Sequence, residues 1–91
     1  MIKIQFTFYT NMFNFKNGKN GFYHQTEISE LPEENDFFIY SNELFNRMNE
    51  EEKEEFEEYN LKKGRYYVGE IRDYTKKDSD IEQIIFLILD E

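Results

Sequence analysis

Carboxylates are the most concentrated reactive groups in this sequence. The segment from Glu27 to Glu58 holds thirteen of them and only two cations, Arg47 and Lys53, so its net charge is −11, against −9 for the whole chain. A field of this sign repels nucleic acid and anionic membrane surfaces and attracts basic grooves on other proteins. We therefore expect a basic protein as the partner, with no direct nucleic-acid contact and no membrane contact.

Catalytic and metal-binding chemistry has little support in the sequence. His24 is the only histidine, cysteine is absent, and no serine lies in a nucleophile motif such as G-x-S-x-G. The stretch from Asp78 to Glu82 alternates carboxylates, but it lacks the glycine and the distal glutamate of an EF-hand loop. We therefore expect no enzymatic activity, no catalytic residue, no metal and no cofactor.

The composition predicts a single folded domain over residues 1–91. Aromatic residues make up 19% of the chain, which a disordered acidic tail would not contain. The longest apolar run, from Ile84 to Leu89, is far too short to cross a bilayer, and the amino terminus does not have the pattern of a signal peptide. The absence of cysteine fits a reducing compartment, so we expect a cytoplasmic protein.

Five segments have the patterns of strands. Ile2, Ile4, Phe6 and Phe8 alternate with polar residues, which is typical of a half-buried strand. Asn-Gly turn signals within residues 16–21 predict a hairpin whose base is extended by residues 12–15. The unbroken apolar run near the carboxyl end predicts a central strand. This last strand covers residues 81–89. The other expected strands cover residues 22–28, 37–40 and 65–74, with a loop at 30–36.

The apolar spacing between these strands favours one long helix from about residue 42 to residue 62. Phe45 and Phe56 are eleven residues apart, which returns them to nearly the same side of a helix. Ser41 or Asn42 would cap its start, Lys62 and Lys63 would lie in its last turn, and Gly64 would end it. The alternative is a break at Asn49, with Asn49 and Glu52 as a capping box.

These elements define an α+β fold. We expect a mainly antiparallel sheet of four to five strands with the long acidic helix packed on it. A single helix would leave apolar surface on the second sheet face, and a homodimer could bury it.

Placed on this helix, Glu51, Glu54, Glu55 and Glu58 fall within a stripe about 100° wide. Neighbouring carboxylates would be about 5–6 Å apart at Cβ, which is similar to the spacing of phosphates along a nucleic-acid strand. Seven Glu–Glu neighbours and six opposite-charge neighbours at three or four residues predict a local electrostatic sum near zero. The helix can therefore form despite its charge.

Two interpretations of the acidic stretch remain open. It is either a solvated face that keeps a small domain soluble or a nucleic-acid mimic that fills a basic groove. In the second interpretation the partner is a nuclease or another defence or repair enzyme, and tyrosines add desolvated contact. The expected partner-binding residues are Glu50, Glu51, Glu54, Glu55, Glu57, Glu58, Tyr59 and Tyr66.

The small size, the absence of cysteine and the dense run from Glu50 to Glu58 give the chain a resemblance to a class of inhibitors. It resembles the small acidic proteins of phages and other mobile elements, including the anti-restriction, anti-CRISPR and uracil-DNA-glycosylase-inhibitor classes. The resemblance implies tight binding to a host enzyme in the host cytoplasm and no catalysis. The alternative function is a structural or assembly protein, or a homodimeric interaction module.

Overall fold

The computed structural model describes residues 1–18, 21–76 and 78–90 as five strands and three short helices. The elements in chain order are β1 Ile2–Tyr9, α1 Met12–Lys16, β2 Phe22–Ile28, β3 Phe37–Tyr40, α2 Asn42–Phe45, α3 Glu50–Glu58, β4 Gly64–Asp73 and β5 Gln83–Leu89. The α+β class is as predicted. No helix in the described part of the chain is long and apolar enough to cross a membrane.

The strands form one curled sheet in the order β2-β1-β5-β4-β3. β5 is central, as its apolar run predicted. Three of the four neighbouring pairs are antiparallel, but β1 and β5 run parallel, so the sheet is mixed. β5 pairs with β1 only after β2, β3 and β4 have intervened in the sequence. Parallel strands are not joined by a tight turn, so no local turn signal predicts this pairing.

The core lies between the sheet and α2–α3. Alternate residues of every strand face it, and the largest buried side chains are the aromatic rings of Phe6, Phe8, Tyr40, Phe56 and Tyr66. The ring of Phe8 is within 5.0–5.5 Å of those of Tyr40, Tyr66 and Phe56, each in an edge-to-face arrangement. This aromatic cluster joins the central strands to the acidic helix.

The second sheet face is covered only in part. The prediction that residues 12–15 extend the hairpin is wrong, because Asn11 caps a short helix there and its side chain accepts a hydrogen bond from the Asn14 amide at 2.8 Å. Phe15 of this helix packs on Tyr9 and Phe86, at 5.5 and 5.8 Å between ring centroids. Residues 19 and 20 of the predicted turn lie outside the described residues.

The long helix over residues 42–62 is also wrong. The chain forms α2 and α3 with a turn between them, and the alternative break at Asn49 is confirmed. Met48 in the turn is buried in the core. The turn therefore buries an apolar residue whose burial was expected from a continuous helix. α3 ends well before Gly64, because Tyr59 is its C-cap and Asn60 adopts a left-handed φ of 61°.

Candidate protein-binding surface

Helix α3 holds the dense acidic run in one rigid element. Its start is fixed by a complete capping box: the Asn49 side chain accepts from the Glu52 amide at 2.8 Å, and the Glu52 carboxylate accepts from the Asn49 amide at 3.0 Å. Of the nine residues of α3, Phe56 alone is buried, at 2% exposure, and it packs among Phe8, Tyr40 and Phe45. The helix is therefore anchored to the core through one ring.

Six glutamates of α3 are exposed, and all six were predicted as partner-binding residues. They are Glu50, Glu51, Glu54, Glu55, Glu57 and Glu58. With Glu52 included, the helix contains seven carboxylates and one lysine, which gives a net charge of −6 over a length of about 13 Å. The only cation, Lys53, lies 4.0 Å from the Glu50 carboxylate and 5.5 Å from the centre of the Phe45 ring.

The break in the helix changes its electrostatic balance. Within α3 the seven Glu–Glu neighbours remain, but only the two pairings of Lys53, with Glu50 and Glu57, still have opposite charge on the same helix. Arg47 is instead directed to β2, where it donates to the Glu27 carbonyl, and it lies 3.7 Å from Glu43. The near-zero sum predicted for one long helix therefore does not apply to α3, where Lys53 offsets only part of the repulsion between glutamates.

Glu52 differs from its neighbours because it turns toward the sheet. Its Oε2 is 2.9 Å from Nδ1 of His24, whose ring is only 4% exposed. Burial pushes the pKa of Glu52 upward, but the hydrogen bond from the Asn49 amide and the contact with His24 outweigh it, so the pKa lies below its ordinary value. His24 and Glu52 thus join β2 to the first turn of α3.

The two predicted tyrosine contacts have different outcomes. Tyr59 is 41% exposed at the end of α3, with its ring 5.7 Å from that of Phe22, so one edge is available to a partner. Tyr66 is fully buried, and its hydroxyl donates to the Lys62 carbonyl at 2.6 Å. Burial raises the pKa of that hydroxyl. Tyr66 therefore supports the core beneath the acidic surface and is not accessible for the predicted contact.

Other reactive groups are engaged structurally. Asp80, in the stretch considered for calcium, forms an ion pair with Lys3. Among the described residues no group of three or more His, Asp or Glu side chains could hold a metal ion. Nε2 of His24 is buried without a hydrogen-bond partner, and Nδ1 of the same ring contacts Glu52.

Acidic residues of β2, of the loop after it and of α2 surround a second feature, a groove that the sequence did not predict. Glu27, Glu30 and Glu43 line a groove of about 380 Å³ together with Ile28 of β2 and Ile39 of β3. The short apolar run of β3 was the available signal, because a four-residue strand at a sheet edge leaves half of its backbone groups unpaired. The linear sequence does not report that β3 would be an edge.

The chain was also compared with known proteins. No protein-family model, no curated protein sequence and no solved structure matches it.

Proposed function

We propose that this protein is a non-enzymatic inhibitor that uses α3 as a nucleic-acid mimic. In this proposal it is a phage or mobile-element protein of the anti-CRISPR or anti-restriction type and acts in the host cytoplasm. The helix enters the basic groove of a DNA- or RNA-handling enzyme and blocks it. The observation that carries the proposal is the presentation of six exposed glutamates on one capped helix anchored by Phe56.

The anchoring of α3 matters because binding by a flexible chain costs conformational entropy. A disordered acidic tail would lose backbone and side-chain freedom on entering a groove. Here the capping box and the packing of Phe56 hold the backbone in place before binding. The free energy of charge pairing is then offset mainly by the side-chain entropy of the glutamates.

The uncompensated repulsion within α3 points to the same kind of partner. Seven like-charge neighbours against two opposite-charge ones leave a field that salt screens only beyond about 8–10 Å. A groove lined by lysine and arginine would relieve this repulsion on binding. A surface designed only for solubility would intersperse both signs of charge.

We assign different roles to the two kinds of contact residue. Glutamates at the rim of the interface should raise the association rate, and those that become buried against a cation should slow dissociation. Tyr59 supplies a partly exposed ring next to the carboxylates. Tyr66 is left out of the contact set because it belongs to the core.

Affinity capture from a bacterial lysate tests the proposal. The bait is the protein itself, beside a variant in which Glu51, Glu54, Glu55 and Glu58 are changed to Gln. A matched control removes four exposed charges elsewhere, through Gln at Glu33, Glu34 and Glu82 and Asn at Asp78. We expect the parent and the control to retain a nucleic-acid-handling protein that the helix variant loses. Equal recovery by all three baits would exclude the mimic.

The alternative is an assembly role through the open sheet face. The observation that favours it is the exposure of large apolar side chains on that side of the molecule, including Phe13 and Phe37. It predicts a mass that rises with concentration in light scattering and does not respond to the helix substitutions. A constant monomer mass would exclude it.

A further inference from the structure

A strand edge separate from α3 is available for pairing. β3 lies at the end of the sheet and, among the described strands, pairs only with β4, in a register that sets Phe38 opposite Tyr66 and Ile39 opposite Arg65. The Val68 amide donates to the Asp36 carbonyl and the Val68 carbonyl accepts from the Asn35 amide, both at 2.8 Å, so residues 36 and 68 lie at a hydrogen-bonded pair of the ladder with one irregular bond. Because such pairs alternate in an antiparallel ladder, Phe38 and Tyr40 bond inward, and Phe37 and Ile39 direct their backbone groups away from the sheet.

The outward groups of Ile39 are the ones that a new strand would use. The Phe37 amide already donates to its neighbour Asp36 at 2.8 Å, so that donor is engaged locally. Within the described residues the Ile39 amide donates to no neighbouring side chain or turn, and the residue is 61% exposed. An extended peptide could therefore exchange two backbone hydrogen bonds with Ile39.

The surroundings of β3 define the side chains that such a peptide would need. Residues 27–43 contain six carboxylates and no lysine or arginine. The cation opposite Ile39, Arg65, lies 3.7 Å from the centre of the Phe37 ring and forms an ion pair with Asp90 at 2.9 Å. On the helix side, the edge opens into the groove lined by Glu27, Glu30 and Glu43, where Arg47 is occupied with the Glu27 carbonyl and with Glu43. On the open side, Phe37 lines an apolar groove of about 420 Å³ with Tyr67 and Ile88.

Charge argues against a second copy of this chain on the same edge. Two β3 edges paired around a twofold axis would bring together two segments with six carboxylates each. The other sheet edge, β2, is partly blocked, because the Arg47 side chain donates a hydrogen bond to the Glu27 carbonyl and α3 lies against this strand. β3 is therefore the edge best suited to a foreign strand, and that strand should be cationic.

We propose that the β3 edge binds an extended peptide segment of a partner protein in which basic and apolar residues alternate, pairing with Ile39 as a sixth strand. Its basic side chains point toward Glu27, Glu30 and Glu43, and its apolar side chains cover Phe37 and Ile39. This inference goes beyond the proposed role of α3 and does not depend on it.

The probe is an acetylated, amidated peptide of alternating lysine and valine, titrated into the full-length protein. Hydrogen exchange followed by NMR reports on the Ile39 amide, and fluorescence anisotropy of a labelled peptide gives the affinity. We expect protection of the Ile39 amide at saturation. A peptide of the same composition, N-methylated on the edge that would face β3, should bind at least about tenfold more weakly, because strand addition depends on main-chain hydrogen bonds.

Two triple variants separate this site from α3. Changing Glu27, Glu30 and Glu43 to Gln should weaken peptide binding by about five- to tenfold, whereas changing Glu54, Glu55 and Glu58 to Gln should leave it within about twofold. Ile39→Pro removes the outward donor without touching a bond to β4, and it should abolish binding. If this variant does not fold, the N-methylated peptide tests the same hydrogen bond.

Several results would overturn the inference. The proposal fails if the Ile39 amide stays unprotected at saturation, if the N-methylated peptide binds as well as its parent, or if the two triple variants weaken binding equally. It also fails if sedimentation shows a dimer through β3 that the peptide does not dissociate. Failure of the lysate experiment on α3 would leave these outcomes unchanged, so the two proposals can fail separately.

Discussion

Two glutamates that adjoin in the chain, Glu51 and Glu52, have different roles because the helix turns them to different sides. Glu51 is exposed, whereas Glu52 closes the capping box and contacts His24. Residue type alone does not separate them, but position does, since Glu52 is the third residue after the N-cap Asn49. At the residue scale, then, six carboxylates of the helix are available for binding and one is used to fix the helix.

The depressed pKa of Glu52 predicts a specific acid response. The pKa of Glu52 in the folded state is lower than the unfolded value of 4.5. Below that value the unfolded state binds more protons at this residue than the folded state does, so the stability that Glu52 contributes is lost as the pH falls through its folded-state pKa. Residue 52 of the Glu52→Gln variant cannot titrate, so this variant should show a flatter fall in the free energy of unfolding as the pH falls below the unfolded value of 4.5. Urea unfolding at several pH values measures this.

The control for this experiment is Glu55→Gln, which removes a charge from the same helix at an exposed position. It should keep the acid response of the parent. If the parent and both variants show the same pH dependence, the Glu52 carboxylate, with its contacts to the Asn49 amide and to His24, does not contribute to acid sensitivity.

At the scale of elements, the decisive feature is the break at Asn49. The eleven-residue spacing of Phe45 and Phe56 predicted that the two rings would lie together, and their centroids are indeed 5.3 Å apart. The spacing could not distinguish a continuous helix from two helices joined by a turn that buries Met48. The capping residues did distinguish the two, because the capping box of Asn49 and Glu52 marks the start of a new helix at Asn49 and so favours two helices over one.

The strands were predictable for a related reason. Alternation in β1 and the apolar run of β5 are local patterns that directly reflect burial on one face or on both. The parallel pairing of β1 with β5 and the edge position of β3 depend on residues far apart in sequence, so no short pattern encodes them. The acidic part of the candidate site was likewise predictable from composition, but the burial of Tyr66 was not.

The cap at Asn49 gives a prediction for the helix as a unit. Asn49→Ala removes the acceptor for the Glu52 amide and should lower the free energy of unfolding by about 1 kcal/mol. Asn49→Asp keeps an acceptor and should have a much smaller effect. Chemical denaturation measures both. Equal stability of Asn49→Ala and the parent would show that the cap does not hold α3.

The helix variant used for capture also has a predicted effect on stability. All seven Glu–Glu neighbours of α3 involve Glu51, Glu54, Glu55 or Glu58, whereas both pairings of Lys53 use other residues. Changing these four residues to Gln should therefore leave the protein as stable as the parent or more stable, with a gain of about 1 kcal/mol at low salt. Thermal unfolding at low and high salt tests this, and marked destabilisation at both would contradict the account.

At the scale of the whole molecule, charge and apolar surface are separated. The exposed carboxylates of α3 lie on the helix side of the curled sheet, whereas Phe13 and Phe37 are exposed on the side where α1 gives partial cover. The surface that we propose for a cationic groove is thus separate from β3, the edge that we propose for an extended segment.

The most direct test of the central claim is a competition experiment with the enzyme recovered by capture. A labelled nucleic acid is bound to that enzyme, and the protein is added at constant ionic strength. The account predicts that the protein releases the nucleic acid completely and that no complex contains all three components. Stable binding of the protein and the nucleic acid to the same enzyme molecule would contradict the proposal that α3 occupies the nucleic-acid groove.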